Sequence, residues 1–189
     1  MRRSIALSAL CLWLVPWVCA PLVRAEEPSA VWLDVPFVKQ ERNGCGAASI
    51  AMVMQYWDRQ MGRLPAAAPG EIQRALYAPQ AHGIYASDLE RYLNEHGYRT
   101  FAFPGTWDDL QQQVAKGRPV IVALKVGRGD LHYVVVTGLD SRQNVLLKND
   151  PAERKLLKQS RASFEKEWKA AASWMLLAVP QQDGPVPSR

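Results

Sequence analysis

The 189-residue sequence predicts an α+β domain: a helical N-terminal part with one central helix, packed on an antiparallel β-sheet. Three observations predict it. Segments of helical period lie between Cys45 and Gly117, whereas β-branched runs dominate from Arg118 to Lys148. The first helical segment, Cys45 to about Trp57, is apolar on most sides through Ala48, Ala51, Met52, Met54, Tyr56 and Trp57, as a buried central helix is. The length is that of one domain with a core of its own.

The elements follow in order. Val31 to Val38 alternates apolar and polar residues and carries Pro36, which suits an edge strand. The central helix then starts at Cys45, flanked by Gly44 and Gly46. Gly62 to Gly70 is rich in Gly and Pro and reads as a loop, with a short helical piece over Glu71 to Tyr77. Ser87-Asp88-Leu89-Glu90 has the form of a capping box, Leu89, Tyr92 and Leu93 make a helical face, and Gly97 ends it. Tyr98 to Phe103 reads as a strand. Thr106-Trp107-Asp108-Asp109 opens a third helix that Gly117 closes. Arg118 to Val126 and Leu131 to Leu139 are β-rich runs joined by Gly127 to Asp130, an antiparallel pair, and Val145 to Lys148 is the next strand. Asn149-Asp150-Pro151 breaks it. Ser163 is the expected cap of a helix over Phe164 to Ala171, and Trp174 to Val179 closes the sheet. Trp57, Trp168 and Trp174 fall at core positions of these elements.

The first 25 residues stand outside this domain. Met1-Arg2-Arg3 is a positive start, Ile5 to Val18 an apolar run interrupted by Pro16, and Val23-Arg24-Ala25 a small-residue exit, the pattern of a cleaved signal peptide. The expected organisation is therefore a signal peptide over 1–25, a flexible start over 26–30, the domain over 31–180 and a polar tail over 181–189. The mature chain is expected in the periplasm or outside the cell, touching the membrane only if the signal segment is kept. Its net charge drops from +5 to +2, because Arg2, Arg3 and Arg24 leave and no acid does. No Lys/Arg-dense stripe remains to follow phosphates, which argues against a nucleic-acid partner. Cys11 and Cys19 leave as well, so Cys45 is the one thiol of the mature chain, in a compartment where thiols are usually paired.

A thiol at a helix N-terminus has a lowered pKa, because unpaired N–H groups and the helix dipole favour the thiolate. Cys45 holds that position, and its small neighbours Gly44, Gly46, Ala47 and Ala48 leave room for a substrate backbone. A nucleophile of this kind needs a base. His82 lies in a loop, and His96 beside Gly97 reads as a partner of a helix C-terminus. His132 opens an apolar strand after a Gly-containing loop, where a ring is held rigidly yet stays accessible. Asp150, or chemically as well Asn149, ends the following strand and can orient that imidazole. Gln40, shortly before the helix, and the Cys45 N–H are candidate donors to an oxyanion. One Cys and three scattered His give no zinc pattern, and no cofactor is expected.

The motifs Val35-Pro36-Phe37-Val38-Lys39-Gln40-Glu41, Gly44-Cys45-Gly46-Ala47-Ala48, Leu131-His132-Tyr133-Val134-Val135-Val136-Thr137-Gly138 and Asn149-Asp150-Pro151 resemble the bacteriocin-processing (double-glycine leader) cysteine peptidase family of the papain-like superfamily. The resemblance spans about residues 31 to 180. It implies a papain-like cysteine peptidase fold, with Cys45, His132 and Asp150 as the triad and Gln40 at the oxyanion hole. With its expected signal peptide, the chain looks closer to stand-alone exported members than to transporter-fused ones. The implied activity is hydrolysis of peptide bonds in a peptide or protein substrate by a monomer, as in processing of a secreted or surface protein precursor. Acyl transfer to an amine and an inactive peptide-binding module are the alternatives.

Overall fold

A computed structural model describes residues 30–65, 67–126 and 131–181. The expected signal peptide, the Gly127–Asp130 connection and most of the polar tail lie outside the described residues. Seven strands, β1 (Ala30–Trp32), β2 (Tyr98–Pro104), β3 (Val120–Lys125), β4 (Leu131–Asp140), β5 (Val145–Asn149), β6 (Leu157–Ser160) and β7 (Trp174–Pro180), form one antiparallel sheet. Its order is β2-β7-β3-β4-β5-β6, with β1 added to the far end of β4. Among the described residues, five α-helices accompany it: α1 (Cys45–Gln60), α2 (Pro69–Leu76), α3 (Ala86–Glu95), α4 (Trp107–Ala115) and α5 (Arg161–Lys169).

Alternation along the central strands divides the core in two. Ile121, Ala123, Tyr133, Val135, Leu176 and Ala178 face a cluster built on α1, with Ile50, Ala51 and Met54, and on Ile72, Leu89 and Leu93 of α2 and α3. Val122, Leu124, Val134, Val136, Met175 and Leu177 face the other way, against Leu110 and Val114 of α4 and Phe164 and Trp168 of α5. The sheet is thus covered on both faces, and its long β-branched strands read as continuous apolar runs for that reason. Gly105 serves the second face. A Cβ there would come within 2.1 Å of the Met175 Sδ, so any side chain at this position would force the buried Met175 to shift.

Local chemistry explains both the agreements and the departures. Thr106 caps α4 as expected: its side chain accepts from the Asp109 N–H, and the Asp109 carboxylate accepts from the Thr106 N–H at 2.8 Å. The expected box at Ser87 does not form. The cap position of α3 is Tyr85, without a side-chain bond, and the Glu90 carboxylate instead accepts from the Thr100 hydroxyl on β2 at 3.3 Å. Ser163 is not a cap but the third residue of α5, whose N–H donates to the true cap, Ser160. The strand expected over Val31 to Val38 stops at Trp32, because Pro36 offers no N–H and the Val35 and Pro36 carbonyls are taken by the Asn149 side chain. Trp168 is fully buried, whereas Trp57 and Trp174 are only half-buried, each at the margin of the first core.

Candidate functional site

The site forms where the start of α1 meets the ends of β4 and β5. Asn43 adopts a left-handed conformation at φ 57°, and Gly44 then begins the helix without any side-chain cap. The first-turn N–H groups of α1 are therefore not consumed by a capping side chain. Gly46 lets α1 press on the next layer, since a Cβ there would lie 3.2 Å from the Ile84 Cβ and 3.5 Å from Leu89. Cys45 is half-buried and unpaired.

His132 stands near the start of β4, opposite Leu124 on β3. Its Nε2 lies 2.7 Å from Asp150 Oδ1, and its ring stands close enough to the Cys45 thiol for each to shift the other's pKa, with Nδ1 the nitrogen left for the sulfur. Asp150 is 4% exposed. Its Oδ1 accepts in addition from the Ala152 N–H at 3.1 Å, and its Oδ2 faces Lys148 Nζ at 3.4 Å. Asn149, the chemical alternative to Asp150, is engaged elsewhere. Its Nδ2 donates to Val35 and Pro36, and its Oδ1 accepts from the Leu156 N–H at 3.0 Å. The strand alternation sends the two neighbours in different directions, and it is the aspartate that meets the imidazole.

Gln40 is anchored to the turn that follows β5. Its N–H donates to the Pro151 carbonyl at 3.0 Å, and Lys39 Nζ donates to the Ala152 and Glu153 carbonyls. These bonds join the segment carrying Gln40 to the turn carrying Asp150. The Gln40 side chain lines a small cavity with Gly44, Ala47 and Ala48, and its Oε1 is buried without a hydrogen-bond partner. The amide group is thus held beside the helix start.

The electrostatics follow from this geometry. Burial pushes the Cys45 thiol up, but the His132 hydrogen bond, the Tyr133 N–H, the imidazolium charge and the Gly46 N–H outweigh it and bring the thiol below its ordinary value. Burial works against the charged His132 ring as well, yet the hydrogen bonds to Asp150 and Cys45 and their charges raise it to about 9. Asp150, pushed up by burial, is drawn below the ordinary carboxylate range by His132, by Lys148 and by the Ala152 N–H. Between the lowered pKa of Cys45 and about pH 9 the favoured state is thus a thiolate beside an imidazolium. The Tyr133 N–H, a backbone donor to the sulfur, had no signal in the sequence beyond its place next to His132.

The remaining histidines stand apart. His96 stacks on Tyr92 at 3.8 Å and its Nδ1 lies 2.7 Å from the Tyr92 carbonyl, at the end of α3. His82 closes a short 3-10 turn, Pro79–Ala81, in a left-handed conformation. Among the described residues, no group of His, Cys, Asp and Glu is arranged to hold a metal, and no helix is long and apolar enough to cross a membrane.

Comparison with known proteins places the chain in a family and a fold. Residues 32–174 match the model of the Peptidase_C39 like family. Among solved structures, the chain is similar to a protein described as a C39-like peptidase from Bacillus anthracis, with 19% identity and a TM-score of 0.65 over 82% of this chain and 99% of that one. It is similar to a double glycine motif protease from an AMS/PCAT transporter, solved with its leader peptide, at 21% identity and TM-score 0.61 over 80% and 95% of the two chains. Xylellain, a cysteine protease from Xylella fastidiosa, shares the fold at 13% identity and TM-score 0.60 over 84% and 88%. No curated protein matches the sequence.

Proposed function

The chain belongs to the Peptidase_C39-like family and is a cysteine-type peptidase, and from that premise we propose that Cys45, His132, Asp150 and Gln40 carry out its chemistry in an exported protein. The Cys45 thiolate adds to a peptide carbonyl carbon, and the oxyanion is held by the Cys45 N–H and the Gln40 side chain. The His132 imidazolium gives its proton to the departing amine, leaving a thioester. The neutral imidazole then takes a proton from water, which attacks the thioester, frees the new carboxyl end and restores the thiolate beside the imidazolium. Asp150 holds the ring at Nε2 throughout and stabilises its charge.

The observation that carries this reading is the single file of Cys45, His132 and Asp150, brought together from α1, β4 and the end of β5 with the Asp150–His132 bond at 2.7 Å. Export is supported by the N-terminal segment, with its two arginines, apolar run and small-residue exit. The substrate is a peptide or protein segment reached outside the cytoplasm, and the enzyme acts on it as a monomer. The test is cleavage-site mapping on exported proteins incubated with the enzyme and with its Cys45→Ala variant. New N-termini that require Cys45 identify the substrate, and equal cleavage by both proteins would refute the assignment.

A further inference from the structure

Lys148 is a charged residue where a strand should bury an apolar one. It is 4% exposed, on β5, with Val136 of β4 on one side and Leu157 of β6 on the other. An unpaired ammonium in such a place is costly, and among the described residues the carboxylate within ion-pair distance of it is Asp150, at 3.4 Å. The other cations nearby are engaged elsewhere: Lys155 with Asp34, Lys158 with Gln143, and Lys39 with the Ala152 and Glu153 carbonyls. The carboxylate is therefore divided between two neighbours, Oδ1 to His132 and the Ala152 N–H, Oδ2 to Lys148.

We propose that Lys148 is a positioning residue for the cysteine peptidase reaction, which fixes the Asp150 carboxylate and makes the site an alternating row of four charges: thiolate, imidazolium, carboxylate, ammonium. The inference rests on the catalytic reading of Cys45, His132 and Asp150 given above. Its physical content is charge balance. An unopposed carboxylate would hold the imidazolium proton more tightly than the departing amine needs, and would leave a net negative charge beside the thiolate. The ammonium offsets both effects, and pins the second oxygen so that the first cannot turn away from the ring.

Loss of a positive charge raises the pKa of every acid near it. The pH dependence of Cys45 alkylation by iodoacetamide, followed in the full chain by mass spectrometry of the peptide carrying Cys45, reads this without a substrate. It shows one inflection as the thiolate–imidazolium pair forms and a second as His132 loses its proton. In Lys148→Met both inflections move to higher pH, by about one unit. Lys148→Arg keeps the charge and leaves them in place. Lys148→Gln, which retains a donor for Oδ2 and so protects the fold, moves them as Met does. Inflections of Lys148→Met and Lys148→Gln that coincide with those of the parent, in proteins folded by circular dichroism, would overturn the proposal. Failure of the catalytic reading looks different: the parent itself would show a single inflection at the value of a simple thiol.

Discussion

The two faces of the sheet are packed by different rules. On the α1 face the helix presents Gly46, Ala47, Ala48 and Ala51, residues small enough for a backbone or a strand to approach, and the proposed nucleophile Cys45 packs at the start of this helix. The α4/α5 face is filled with large rings: Trp107 against Phe164 at 6.4 Å between centroids, Phe164 against Trp168 at 5.4 Å, and the Arg161 guanidinium over Trp107 at 4.7 Å. None of the proposed site residues belongs to that second cluster. The difference teaches that the chemistry is set by close approach at strand and helix ends, while much of the resistance to unfolding is supplied by aromatic bulk behind the sheet.

The comparison can be broken by substitutions on either face. The largest effect belongs to Cys45→Ala, which removes the proposed nucleophile: peptide cleavage should fall by a factor on the order of 10⁴ or more, with a thermal midpoint close to the parent's. Cleavage that survives, or a collapse of the fold, would dissolve the separation. Trp168→Ala should do the reverse. It opens a cavity beside Phe164 and leaves the Trp174 carbonyl, now bonded by the indole N–H at 2.9 Å, without that donor. Denaturant unfolding should show a loss of about 3–5 kcal/mol, while Cys45 alkylation in the folded protein keeps its rate. Thr106→Ala is the mildest, about 1 kcal/mol from a lost capping box at the start of α4, again with reactivity unchanged.

The residues explain which parts could be read in advance. The long strands β3, β4 and β7 are legible because burial on both faces demands unbroken apolar runs, and α1 because Gly44-Cys45-Gly46 opens a helix that is buried nearly all round. The strand β6, Leu157–Ser160, carries no β-branched residue and is half-buried at the sheet's edge, so nothing in its composition separates it from a turn. Two capping signals misled for a shared reason. Ser87 and Ser163 have the right chemistry, but their helices start earlier, at Ala86 after Tyr85 and at Arg161 after the cap Ser160. In the site, the pairing of Asp150 with His132 is legible from adjacent antiparallel strands, which bring the end of β5 toward the start of β4. The role of Lys148 is not, since a lysine in a strand reads as solvent-facing until the carboxylate beside it is seen.

The central claim is that Cys45 stands as a thiolate beside the His132 imidazolium, and the pH dependence of its alkylation tests this most directly. Burial alone would leave a sluggish thiol, whereas the bonds from His132, Tyr133 and Gly46 draw its pKa below the ordinary value and His132 keeps its proton up to about pH 9. Cys45 should therefore alkylate rapidly at neutral pH, with a first inflection below the roughly 8.5 of a simple thiol, and His132→Ala should carry the inflection back toward that value. A parent protein whose Cys45 reacts with a single midpoint near roughly 8.5, no faster than a simple thiol and unaffected by His132→Ala, would contradict it.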